Sequence, residues 1–421
     1  MPPSLNNDIL EDICKTVSYN EGLAGASKFA LSGAGPLNAF MKLLTTVKSV
    51  EFKRDGVKAI YNWATYYLSF QSDYYSNGLC AKILSYASEL TIFVDDLDSQ
   101  HIDLFLGWNN KENLSKVCIA YAGRRHTFLK SVMLFVLSTP VKHLVADASS
   151  LIPFISTVKG KLFDSVEIHF ENGYFFDLEE LLTAFRFYSK NLTLSLGAEY
   201  TWKEILDVVT KTVKENDKGA VSTVVENLNL NLNGHIKMPA LPELQLSDFF
   251  EDISKCFPML KNVNFCVDFT SNAGRFSAKK DASIELYVST CDEVVKQVSK
   301  AKIDYKLFVE WIREDQVFDI SPTSAHFVAF CEVLTNDLGF HKIENKESCW
   351  EVEKNISENK NFKMAVALIQ PIHVDYDIDT VQDDSLSFGD EEYPRDYDPD
   401  EDYDAYEDYD SDVYAEFHGD E

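Results

Sequence analysis

The sequence predicts an α/β fold in which short parallel strands alternate with helices along one continuous array. Three observations predict it. Apolar–polar alternation of period two recurs in short segments, helical spacing with a capping signal follows several of them, and four consecutive centre-to-centre gaps fall at 24–27 residues. Period two places alternate side chains on one face of a strand, whereas 3.6-residue spacing gathers apolar groups on one face of a helix. Strand–helix units that recur at a steady period bury their apolar faces only by stacking. The alternative is an ordinary α/β domain with a mostly parallel sheet.

The elements follow in order. Ile9, Leu10, Ile13 and Val17 keep helical spacing behind the turn-prone run Ser4-Leu5-Asn6-Asn7. A loop at Glu21-Gly22 and a second apolar stretch from Leu23 to Phe40 complete a helical module over 1–45. Strands are expected at Val47–Phe52, Leu90–Val94, Val117–Tyr121, Val141–Val145, Ser165–Phe170, Leu192–Leu196, Leu228–Leu232, Val263–Phe269 and Ile284–Val288, spanning an array over 46–304. The cleanest is LNLNLN, with Leu228, Leu230 and Leu232 on one face and Asn229 and Asn231 on the other. Capping boxes at Thr201/Glu204, Thr290/Glu293 and Asp177/Glu180 are expected to open helices. Residues 305–370 read as a C-terminal cap, with helices at Tyr305–Ile312 and Ala325–Leu334 and a closing strand or helix at Phe362–Leu368. Residues 371–421 form an acidic tail.

Composition bounds the function. The 421 residues are 45% hydrophobic and 13% aromatic, enough for a large core, and the formal net charge is −29. From Pro371 onward there are 21 acids against one base, Arg395. Nucleic acid is excluded as a partner, because affinity for phosphates comes from Lys and Arg. The tail has few aliphatics and blocks of like charge, so it is expected to be disordered. Seven interleaved tyrosines offer cation–π contacts to a basic partner. Ser387, with Asp390 behind it, suits an acidophilic kinase, and Asp398, Asp400 and Asp402 lack the Gly and Glu that a calcium loop needs.

No segment approaches the ~20 apolar residues of a membrane span, and the N-terminus lacks a secretory pattern. The eight cysteines are scattered without a CxxC pair, which points to free thiols in a reducing compartment, cytoplasmic or nuclear. The sequons at Asn113, Asn191 and Asn355 would then carry no glycan. There is no GxSxG, HExxH, P-loop or kinase set, so a non-catalytic protein without metal or cofactor is expected.

Strand alternation assigns one face of the sheet to Ser49, Glu51, Glu167, His169, Thr193, Ser195, Asn229, Asn231, Asn264, Asp268, Glu285 and Tyr287. This face is polar and acidic and would suit a protein substrate, with Tyr287 as its aromatic anchor. The other reading is a solvated face without a ligand. His169 alone reads as a surface histidine, not a metal ligand.

The strand–helix rhythm over residues 46–320 resembles leucine-rich-repeat proteins of the irregular kind, although most units lack the LxxLxLxxN consensus. The implied fold is a leucine-rich-repeat-like solenoid with parallel strands and outer helices. The run Leu5-Asn6-Asn7-Asp8-Ile9-Leu10-x-x-Ile13 resembles the opening of an F-box, and LAGASKFALSGAGPLNAFMKLLTTVKSVEF resembles its later helices. Asn6 stands where that family has Pro, and the basic-Trp signature of its last helix is absent. The resemblance implies a substrate-recognition subunit of a cullin–RING ubiquitin ligase. Leu5, Ile9, Leu10 and Ile13 would meet the Skp-type adaptor, and the array would hold the substrate. The alternative function is a repeat scaffold with no ubiquitin role that binds a basic partner through its tail.

Overall fold

The computed structural model describes residues 6–369, less 70–74, 98–100, 102–103, 105–111, 121–128, 152–160, 171–174, 185–188, 198–199, 216–220, 233–240, 271–279, 317–327, 329–330, 338 and 345–348. Leu5 and the acidic tail therefore lie outside the described residues.

Two helices open the chain, α1 (Asn7–Ala30) and α2 (Ala34–Leu44). Asn6 caps α1 by accepting from the Asp8 amide at 3.4 Å. The expected loop at Glu21-Gly22 is a kink, where Gly22 takes φ 72° inside the helix. That left-handed conformation favours glycine. Next comes an antiparallel meander of β1 (Val47–Lys53), β2 (Gly56–Tyr61) and β3 (Thr65–Ser69). Gly56 is required there, because a Cβ would meet the Leu68 carbonyl oxygen at 2.0 Å.

From β1 the sheet continues in parallel. It adds β4 (Glu89–Phe93), β5 (Lys116–Ala120), β6 (His143–Asp147), β7 (Phe163–Phe170), β8 (Ser189–Leu196), β9 (Asn227–Leu232), β10 (Asn262–Thr270) and β11 (Lys306–Gln316). Strand β14 (Lys360–Ile369) pairs parallel with β11, and β13 (Cys349–Ser357) and β12 (His341–Lys342) close the sheet antiparallel. All belong to one sheet, which has 14 strands among the described residues. The helices between them are α3 (Tyr75–Leu84), α4 (Leu129–Ser138), α5 (Ala148–Leu151), α6 (Phe175–Ala184), α7 (Trp202–Glu215), α8 (Leu246–Cys256) and α9 (Lys280–Lys300). The architecture is α/β with a long, mostly parallel sheet, arranged as a solenoid would be.

Register explains the core. Val50, Leu90, Val117, Leu144, Val166, Leu192, Leu228, Val263 and Leu307 stand side by side across the sheet. Two residues on, Phe52, Ile92, Ile119, Ala146, Ile168, Leu194, Leu230, Phe265 and Val309 form a second row, and no member of either row is more than 4% exposed. Helices α6, α7 and α8 lie on this face, where Leu182, Val209 and Ile253 join Leu194, Leu230 and Phe265 around a cavity of about 20 Å³. Its lining is wholly apolar, so it gives a water no hydrogen-bond partner. Trp202, fully buried, donates from Nε1 to the Leu244 carbonyl at 2.7 Å and lies 4.9 Å from the Phe249 ring. Two lysines satisfy carbonyls at helix ends. Lys161 donates to the Val136 and Thr139 carbonyls at the end of α4, and Lys360 donates to those of Ala301 and Ser299 at the end of α9.

Several expectations need correction. Ile284–Val288 is not a strand but part of α9, so Glu285 and Tyr287 are not on the sheet. The capping box at Thr201 forms: Glu204 accepts from the Thr201 amide at 2.7 Å, and Thr201 Oγ1 accepts from the Glu204 amide at 3.3 Å. The other two do not cap. Thr290 is buried mid-helix, and Asp177 is the third residue of α6. Tyr305–Ile312 is not a helix but the start of β11, and Phe362–Leu368 is strand β14.

Candidate recognition surface

The second face of the sheet carries the polar half of each alternation. The register places Ser49, Glu51, Glu167, His169, Thr193, Ser195, Asn229, Asn231, Asn264 and Asp268 there together, opposite the helix-covered rows. Ser195 is only 6% exposed, so it contributes little accessible surface.

The middle of this face is built from uncharged hydrogen-bonding side chains. Asn262 donates from Nδ2 to Asn227 Oδ1 at 2.6 Å, Asn227 donates to Asn191 at 2.7 Å, and Asn191 donates to the Asp164 carbonyl at 2.7 Å. A second row runs parallel, from Asn264 to Asn229 at 2.8 Å and from Asn229 to Thr193 Oγ1 at 3.1 Å. Every amide points its Nδ2 toward the earlier strand. Parallel, in-register pairing puts equivalent positions beside one another, which is why the Asn pairs two apart in β9 and β10 line up with Asn191 and Thr193 of β8 as ladders.

Charge flanks this middle on both sides. Toward β1, Glu51 meets Lys58 at 3.0 Å and Lys53 at 3.5 Å, and the Lys53 ammonium sits 3.8 Å from the Phe93 ring centre. At β7, His169 Nε2 lies 3.1 Å from Glu167. Toward β13, Lys363 meets Glu351 at 2.8 Å and Glu310 at 3.6 Å, while His341 meets Glu351 at 3.1 Å. Lys363 beside it, chiefly through a hydrogen bond, holds the Glu351 carboxyl below its ordinary range. Among the described residues, no group of three His, Cys, Asp or Glu is placed to hold a metal ion.

One aromatic group on this face is a residue that sequence reasoning missed. Phe308, half-buried on β11, stands between Asn264 and Asn361 in register. The signal was the buried phase of Leu307, Val309 and Trp311. It was obscured because Phe308 and Ile312 put apolar residues on the other face as well.

The four proposed adaptor contacts are placed unequally. Leu5 lies outside the described residues, Ile9 is 47% exposed, Ile13 is half-buried and Leu10 is 7% exposed within the core. Leu10, Cys14 and Ser18 form the inward stripe of α1, and Ser18 Oγ accepts from the Tyr66 hydroxyl of β3 at 3.1 Å. The helices thus share the core of the first strands. Compared with family models, with curated proteins and with solved structures, the chain gave no match. No helix among the described residues is long and apolar enough to cross a membrane.

Proposed function

We propose that the chain is a non-catalytic recognition subunit that holds a protein on the open face of its sheet. The observation that carries this reading is the ladder of Asn191, Asn227, Asn262, Thr193, Asn229 and Asn264: an exposed, hydrogen-bonded, uncharged surface on a fixed backbone. Preorganised polar groups around a buried frame lower the ordering cost of binding. The reading extends to an irregular leucine-rich-repeat array that presents a substrate. Coupling to the Skp-type adaptor of a cullin–RING ligase would run through the N-terminal helices. Ile9, Tyr19, Leu31 and Leu37 support it, because all are exposed apolar residues on or beside α1 and α2.

Capture of the full chain by purified Skp-type adaptor tests the coupling. Ile9→Asp is the informative variant, since Leu10→Asp would damage the core instead. Capture abolished by Ile9→Asp supports docking, and no capture of the wild type removes the ubiquitin role while leaving the recognition face. The tail's 21 acids favour a second contact with a basic partner, and deletion of residues 371–421 without loss of that partner would end it.

A further inference from the structure

The two charged ends of the open face have opposite balance. Near β1, two lysines attend one carboxylate, Glu51. Across β10, β11, β14 and β13 carboxylates are in excess: Asp268, Glu310, Glu351 and Glu353 outnumber Lys306 and Lys363, the lysines of that face among the described residues, with His341 beside Glu351. Apolar groups are interleaved with these carboxylates. Phe308 and Ile312 are both half-buried on β11, and Ala365 stands beside Ile312 in register. Apolar groups inside a polar rim form the usual anatomy of a protein contact.

Resting on the reading that the open face recognises protein, we infer that this end docks an extended, basic segment of the partner, of pattern apolar–x–Arg/Lys–x–apolar. The pattern follows from β11. Phe308, Glu310 and Ile312 present apolar, acidic and apolar groups at successive open-face positions, and an extended chain repeats its same-side groups at the same ~7 Å spacing. A basic side chain opposite Glu310 matches the carboxylate excess, and an acidic one there is repelled. The amide ladder beside Phe308 is neutral and self-bonded, so it orients the segment without adding charge.

The probe is a fluorescently labelled peptide, acetyl-Gly-Ser-Leu-Ser-Arg-Ser-Leu-Ser-Gly-amide, titrated into the full chain at physiological ionic strength and followed by anisotropy. The controls carry Glu in place of Arg, or Ser in place of both Leu. Phe308→Ala and Ile312→Ser should each weaken binding about tenfold or more, and both controls should fail to bind. Circular dichroism confirms that each variant is folded. Binding unchanged in both variants, or no binding up to millimolar peptide, overturns the inference. If binding ignores Phe308 but is lost in Asn229→Ala, this placement falls and open-face recognition stands. If no open-face substitution affects it, both fall.

Discussion

One sheet presents two faces made by the same strands, and they are built on opposite principles. On the covered face, stability comes from apolar area removed from water: Leu228, Leu230, Phe265 and their neighbours are essentially inaccessible. On the open face, Asn229, one residue from Leu230, keeps contact with solvent and bonds laterally to Thr193 and Asn264. Burial is roughly proportional to area and scarcely directional, whereas side-chain hydrogen bonds made in water add little net stability and mainly fix orientation. The covered face therefore holds the fold, and the open face is free to present a surface.

The sharpest way to break the comparison is at its best-packed point. Trp202→Ala should cost about 3–5 kcal/mol, because it deletes a fully buried ring and leaves the Leu244 carbonyl without its donor. A drop in urea midpoint with an unchanged slope would record it. A loss below about 1 kcal/mol would show that helix α7 does not depend on the sheet as drawn.

The same contrast decides what could be read from the chain alone. Strands β1 and β4–β10 were legible because each alternates between these two environments. Ten of the twelve residues assigned to the open face lie there. Glu285 and Tyr287 failed because five alternating residues, IELYV, lie inside the 21-residue helix α9. Farther along that helix, Cys291, Val294 and Val298 follow the helical period. Strand β11 was missed for the opposite reason, since its open face is partly apolar and the period blurs. The β1–β2 hairpin had a signal, Asp55-Gly56 between two alternating runs, that announces a tight turn. Lys53 pairs with Gly56 across it. The ladders could be anticipated from repeated Asn residues, but their register depends on which strands are neighbours.

A pair of adjacent substitutions sharpens the comparison within β9. Leu230→Ala should cost about 2–5 kcal/mol, and Asn229→Ala about 1 kcal/mol. Both are measured by equilibrium unfolding. Equal costs would mean that the open face also carries the fold. Thr201→Ala should be similarly mild, about 1 kcal/mol for a lost helix cap. Thr201→Ser, which keeps the oxygen that accepts from Glu204, should recover most of it.

The smallest effect belongs to the charged end of the open face. The Glu351 carboxyl titrates below its ordinary range because Lys363 and then His341 favour its ionised form. A carboxyl whose pKa is lower in the folded state binds fewer protons there than in the unfolded chain. Its contribution is therefore complete above the ordinary carboxylate range and is lost as pH falls through the folded value. The pair is solvent-facing, so the contribution is small. Wild type should hold a slight advantage over Glu351→Gln in urea midpoint at neutral pH, and the two should converge in acid. An advantage that persists unchanged at low pH would show that Glu351 acts by packing instead of charge.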